Sequence, residues 1–411
     1  MVSNAGLGVS RGTALYVGAL VGPGVLLVPA LAVQAAGPVS IVAWGGLLLL
    51  AVPLAVTFAA LAVRHPVAGG VSAYVGAGFG EDAAAVTGLC FLTAVLFGAP
   101  AVALIGGYYV SDLTGSGTSV AVTVGVLIIA VVFAANAFGL RVSSGFQFAL
   151  SAILVGVIAV AVAAALPSRA GDHWTPFAPH GWWAAGTAAS ILVWLFIGWE
   201  AMAQLAGDFR EPARDLPRAM ALAFAVVAVL YVGLAIATIA VTTGGSRVPL
   251  ADLIAVGFGR AGRDATAVLA VALTMGTMNV YTGSAAKLAA ALARERAIPA
   301  WLGGDAYRSV PRRPLLVIGL AGAVQLAGLA EGIASPATLV RATSACFVAV
   351  YLLALASAVR ILSGRLRAAA AVALALIAVV AVFSSWYLLV PAAATVVALS
   401  RRRARVAVPA A

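Results

Sequence analysis

Apolar residues fill this chain in runs of about 20, the length a helix needs to cross roughly 30 Å of hydrocarbon. Glycine, proline and charged residues collect between the runs. Bounded in this way, the pattern predicts an all-α polytopic membrane protein with twelve spans, at about 11–35, 38–63, 83–112, 118–136, 144–166, 184–207, 218–242, 264–293, 314–330, 336–358, 367–383 and 385–400. Only Ser384, Ser385 and Trp386 divide the last pair, so two short spans and one bent hairpin are both open there. No stretch is polar enough for a separate soluble domain, which leaves a single transmembrane domain over residues 1–411. The first apolar stretch is read as a mature span rather than a secretory signal. Its one basic residue is Arg11, and the run beyond is too long and is interrupted by Gly22-Pro23-Gly24.

Composition reinforces this picture: 64% of residues are hydrophobic and 9% charged, against about 45–50% and about 25% in soluble domains. The net charge of +11 would suggest nucleic acid in a soluble protein. Sorted by side of the membrane, it has another meaning. With the N-terminus inside, 18 of the 24 basic residues fall in inside loops. Arg169, Arg247, Arg260 and Arg263 fall outside, and Lys287 and Arg341 lie within spans. This asymmetry predicts that both termini are cytoplasmic and removes the need for a nucleic-acid partner. Cys90 and Cys346 sit in apolar runs and are read as packed thiols. All three histidines, His65, His173 and His180, fall in loops, with no HExxH, G-x-S-x-G or metal-ligand cluster. No metal, cofactor or enzymatic centre is therefore expected.

Two spans carry interruptions. Span one contains Gly22-Pro23-Gly24 near its middle, where Pro23 removes a backbone donor and the glycines weaken the helix. Span six contains Gly198 at a comparable depth, followed by Trp199 and Glu200. These are the first spans of two successive five-span blocks, about 11–166 and 184–358, followed by two extra helices at about 367–400. Breaks at matching places in two halves point to a midplane site. A broken helix offers bare N–H and C=O groups without a full charge, which suits the carboxylate and ammonium of an α-amino acid. An ionised Glu200 in hydrocarbon costs about 2.5–3.5 kcal/mol or more, so it is expected to face a cavity or partner. Burial there favours its proton-carrying form, which makes it the candidate for proton coupling.

These residues resemble the amino acid-polyamine-organocation superfamily of transporters over nearly the whole chain. The likeness rests on GPGVLLVPA (22–30), HPVAGGVSAYVGAGFG (65–80), WLFIGWE (194–200) and DFREPARDLPRA (208–219). The shorter length and SAAKLAAALARERAIP (284–299) look most like the bacterial methionine and branched-chain amino acid exporter branch. The resemblance implies a LeuT-type fold, a 5+5 inverted repeat with discontinuous helices one and six, in a bacterial plasma membrane. It implies that Leu20, Gly22, Pro23, Gly24 and Val25 surround the substrate carboxylate, that carbonyls of Ile197 and Gly198 receive the ammonium, and that Trp194 covers the substrate. It also implies a pH-responsive role for Glu200. Pro23 stands where relatives carry Ser or Thr and so removes a donor, Asp208 replaces Glu, and Glu211 stands where Asn is usual.

Phe97, Met278, Asn279 and Phe347 fall near mid-span and are candidates to line the side-chain pocket. Lys287, the chain's one lysine, is open to three readings: snorkelling, pairing with an acid, or filling the place of a sodium ion in sodium-coupled relatives. Together with Glu200 it is a candidate for coupling or gating. Arg341 reads as an interfacial anchor or outer-gate contact, and the segment 64–80 as a short helix on the bilayer surface. The leading expectation is a transporter working by alternating access that exports methionine, leucine, isoleucine or valine, coupled to protons. An uptake permease or exchanger and a transport-inactive amino acid sensor are the rivals. The number of chains in the working unit is not fixed by these patterns.

Overall fold

The computed structural model describes residues 7–64, 70–140, 143–165, 171–199, 209–242, 245–303 and 310–406. Fourteen α-helices make up nearly all of it. Among the described residues the one β-type pairing is an isolated bridge between Leu7 and Phe209. The first half contains α1 (Val9–Leu20), α2 (Val28–Ala36), α3 (Ser40–Arg64), α4 (Gly70–Phe79), α5 (Glu81–Leu113), α6 (Thr118–Ala137) and α7 (Ser144–Ala165). The second contains α8 (Ala184–Leu192), α9 (Pro212–Val241), α10 (Pro249–Arg294), α11 (Arg312–Ala330) and α12 (Pro336–Ile361), followed by α13 (Gly364–Ser384) and α14 (Leu389–Val406).

Among the described residues, nine helical stretches are long and apolar enough to cross a membrane. The gap from twelve has three local causes. The first span is broken, and its second piece runs on with α3 through a single turn as Val28–Val63. Of the sixth, the described residues contain the short apolar stretch Ala184–Phe196, residues 200–207 lying outside them, and the last two helices join through one 3-10 turn as Gly364–Arg403. That last pair nevertheless reverses direction. Phe383 O, at the end of α13, accepts from Arg341 near the start of α12, whereas Arg402 in α14 pairs with Glu81 and Asp82 at the start of α5. The sharp turn sits at Ser385, with φ +53°. Helix α10 opens with a short segment from Pro249 that ends in a kink at the non-helical Gly259 (φ +55°, ψ −146°), and the stretch beyond the kink contains the span expected at 264–293. Helix α4 is the short helix expected within 64–80, and it packs on the bundle: Tyr74 is buried and its carbonyl accepts from Ser357 Oγ at 2.6 Å.

The packing follows an exchange of halves. Helix α5 packs on α12 as α10 packs on α7, and α1 packs on α9 as α3 packs on α8. The pairs α5–α6 and α10–α11 correspond in the same way, while α5 and α10 pack directly on each other at the centre. This is the neighbour pattern of an inverted 5+5 repeat, the LeuT-type arrangement.

In hydrocarbon, helices gain little from mutual hydrophobicity and rely on close approach at small residues. The α5–α6 seam is built that way, from Gly106 and Gly107 against Ala121 and Ile128. A Cβ on Gly107 would overlap the backbone oxygen of Ala121. Neither helix backbone can yield without moving its neighbours, so Gly107→Ala is expected to cost about 1–3 kcal/mol. A thermal unfolding scan in detergent should register the loss as a lower midpoint, and an unchanged midpoint would contradict the tight seam.

Candidate functional site

The first break begins where α1 ends at Leu20. Val21 (φ −89°, ψ 85°) and Gly22 (φ −100°, ψ −176°) leave helical geometry. Pro23–Leu26 then forms one 3-10 turn before α2 begins at Val28. Pro23 has no N–H to give, and among the described residues Gly24 N–H makes no backbone bond. The second break follows α8: a 3-10 turn at Val193–Phe196, then extended Ile197 (φ −86°, ψ 141°) and Gly198 at φ +131°. That φ belongs to glycine. Glu200, the expected proton carrier, lies outside the described residues, as does Asp208.

The two breaks touch. A Cβ on Gly24 would come within 2.7 Å of Leu195 Cδ2, and a Cβ on Gly198 within 3.3 Å of Ala19 O. Three buried tyrosines serve the backbone groups that the breaks release. Tyr231 Oη in α9 lies 3.1 Å from Leu20 O and 3.0 Å from Leu195 O, so one hydroxyl serves a carbonyl of each break. Tyr109 in α5 donates to Leu26 O at 3.0 Å, and Gly198 N–H donates to Tyr351 Oη of α12 at 3.3 Å. The Tyr231 ring is held edge-on by Trp44 and Phe196 at centroid distances of 5.3 and 5.4 Å. A phenol in an apolar run must find a partner for its hydroxyl. The sequence signal for Tyr231, Tyr109 and Tyr351 is therefore a phenol within an apolar run.

Around the breaks, Leu20, Val25, Ile197 and Phe347 are buried, as are Pro23, Gly24 and Gly198, while Gly22 and Trp194 are half-buried. Trp194 packs with Ile197, Phe347, Ala94 and Cys346 in one apolar cluster. Phe91 closes it edge-on to Phe347 at 5.3 Å. Phe97 packs in a neighbouring cluster with Ala342, Ala345 and Tyr387. The other two side-chain candidates lie elsewhere. Met278 lines a small apolar void with Ile129, Phe133 and Ile318, between α5, α6 and α11. Asn279 donates to Leu140 O at 3.2 Å and accepts through its carbonyl from Asn136, forming a polar joint between α10 and α6.

Asn279 also lines a cavity of about 450 Å³ between α1, α6, α7 and α10. Lys287 lines the same cavity, which reaches Gly18 and Ala19 just before the first break. At the opposite end of the bundle, Arg263 holds Asp112 of α5 at 2.7 Å and Asp252 of α10 at 2.8 Å. This bridge ties α5 to the segment of α10 ahead of its kink. Arg341 stacks over Tyr387, 4.4 Å from the ring centre. The pair Glu211–Arg214 is surface-exposed at 3.6 Å, where such pairs contribute little. Among the described residues no group of three or more His, Cys, Asp or Glu comes together as metal ligands.

The amino acid permease family model matches residues 7–402. Among relatives, the chain is 32% identical to an uncharacterized amino acid permease, YecA, of Bacillus subtilis, over 86% of this chain and 85% of that one. It is 29% identical to the L-methionine/branched-chain amino acid exporter YjeH of Escherichia coli, over 89% and 88% of the two chains. A branched-chain amino acid permease of Bacillus subtilis, BcaP, is 27% identical over about half of each chain. With a match over nearly its whole length, an apolar helical bundle and an inverted repeat of packing, this chain belongs to the amino acid permease family of the amino acid-polyamine-organocation superfamily.

Proposed function

We propose that this protein is a secondary transporter of neutral, apolar L-amino acids, working by alternating access in a bacterial inner membrane, with methionine, leucine, isoleucine and valine as exported cargo. The observation that carries the reading is the contact of two helix breaks, Gly24 on Leu195 and Gly198 on Ala19. In this reading the carboxylate docks at Gly22–Val25, where Gly24 N–H makes no backbone bond among the described residues. The ammonium docks at carbonyls of the 195–198 segment, and the cluster of Trp194, Ile197 and Phe347 receives the side chain. An apolar receptor of this kind suits the cargo named for the Escherichia coli relative.

In this reading both termini are cytoplasmic; the arginine asymmetry supports it, and several of the inside-loop arginines meet at one end of the bundle. Arg402 meets Glu81 and Asp82 there, Arg360 donates to Gly78 O and Arg312 to Ala137 O. On that assignment the cavity beside Lys287 opens inward, and the Arg263 bridge closes the outer end. The coupling ion is a proton carried by Glu200.

Counterflow of radiolabelled leucine and methionine in proteoliposomes, with imposed pH gradients, tests the reading. Uptake into preloaded vesicles that accelerates under a proton gradient is expected. Absence of flux for all neutral amino acids, with binding retained, would instead identify a sensor. Glu200→Gln should flatten the pH dependence of that flux, and an unchanged profile would remove Glu200 from coupling. Tyr231→Phe leaves Leu20 O and Leu195 O without their shared donor, at a cost of about 1–3 kcal/mol. The variant should bind leucine roughly tenfold more weakly and unfold at lower temperature, and wild-type values for both would contradict the stitching role of the hydroxyl.

A further inference from the structure

The cavity beside Lys287 has a chemistry of its own. Its volume, about 450 Å³, lies in the roughly 300–1,000 Å³ range of small-molecule sites. On α10, Val280, Ser284 and Lys287 line it from one helical face, spaced at i, i+4 and i+7. Opposite them, Leu15 of α1 and Phe148 of α7 supply an apolar wall, and Ser151 of α7 a hydroxyl. Ser151 is only 4% exposed. Among the described residues, Ser151 Oγ, Ser284 Oγ and Lys287 Nζ make no hydrogen bond or ion pair within the protein, and no acidic side chain lines the space. A lysine ammonium exposed to the cavity and without a counter-charge among the described residues attracts an anion. The neighbouring apolar wall favours an anion that carries a short hydrocarbon tail over an inorganic ion.

We propose that this cavity is a second binding site, separate from the helix breaks, for a small monocarboxylate with an apolar tail, with Lys287 as its counter-charge and Ser151 and Ser284 as hydroxyl donors. The occupant is recognised by its carboxylate and its hydrocarbon frame. The amide groups of Asn136 and Gln147 also line the space, and the buried Gln147 Oε1 has no partner among the described residues, so an amino group is tolerated here but not required. The helix-break site needs both ends of a zwitterion, whereas this site needs the carboxylate and the hydrocarbon frame alone.

Isocaproate, the carbon frame of leucine without its amino group, is the probe. Equilibrium dialysis of radiolabelled isocaproate against the full chain in lipid nanodiscs should give one saturable site. Lys287→Gln should weaken it by about tenfold or more, while Lys287→Arg, which keeps the charge, should restore most of the affinity. Leucine binding at the breaks should survive in all three proteins and serves as the check on folding. Absence of saturable isocaproate binding, or binding indifferent to Lys287→Gln, would overturn the proposal. Loss of isocaproate and leucine together in a normally folded Lys287→Gln protein would also overturn it, because the two sites would then be one. Isocaproate binding without any leucine binding would leave this site standing and remove the transport reading instead.

Discussion

The structure depends on the demand that hydrocarbon makes of a peptide backbone: every N–H and C=O must find a partner inside the protein. Most of this chain meets the demand with unbroken helices. At residues 21–24 and 197–198 it does not, and the shortfall is met by side chains reaching in from neighbouring helices. Tyr231 serves both breaks at once, Tyr109 secures the far side of the first, and Tyr351 receives the N–H of Gly198. Each tyrosine comes from a different long helix, α9, α5 and α12, so the breaks are fixed to several parts of the bundle. Movement of any of these helices would change the backbone geometry at the centre.

That coupling links the site to the two ends of the bundle. The first break packs against α10 as well as α5, and α10 carries the kink at Gly259, the Arg263 bridge and, along its last turns, the face that lines the cavity. Closure at one end and a cavity at the other are thus two properties of the one helix beyond the kink. An alternating-access cycle requires that these properties exchange, and the inverted pattern of neighbours supplies a second arrangement with equivalent contacts.

Much of this was legible in the residues because the membrane imposes simple rules. Run length marked the helical membrane architecture, with nine sufficiently long apolar stretches among the described residues, and Arg312, Arg360 and Arg402 make their contacts at the loop ends where the sequence gathers arginine. Gly22-Pro23-Gly24 and Gly198 named the breaks, since proline lacks a donor and a φ of +131° suits only glycine. What could not be read was which way side chains face. Met278 and Asn279 are adjacent in sequence, yet one fills an apolar void against α11 and the other joins α6 across a polar contact. Hydropathy in a helix that is apolar all round has no preferred face, so the tyrosine partners and the Lys287 cavity depended on tertiary packing that periodicity does not encode.

The central claim is that two touching breaks hold a zwitterion by backbone groups. A cryo-electron microscopy map of the protein saturated with leucine tests it most directly. The account predicts density for one leucine between residues 21–25 and 195–198, its carboxylate within hydrogen-bond distance of Gly24 N–H and its side chain against Trp194 and Phe347. Leucine bound elsewhere, with these two segments still closed on each other as Gly24 on Leu195, would contradict it.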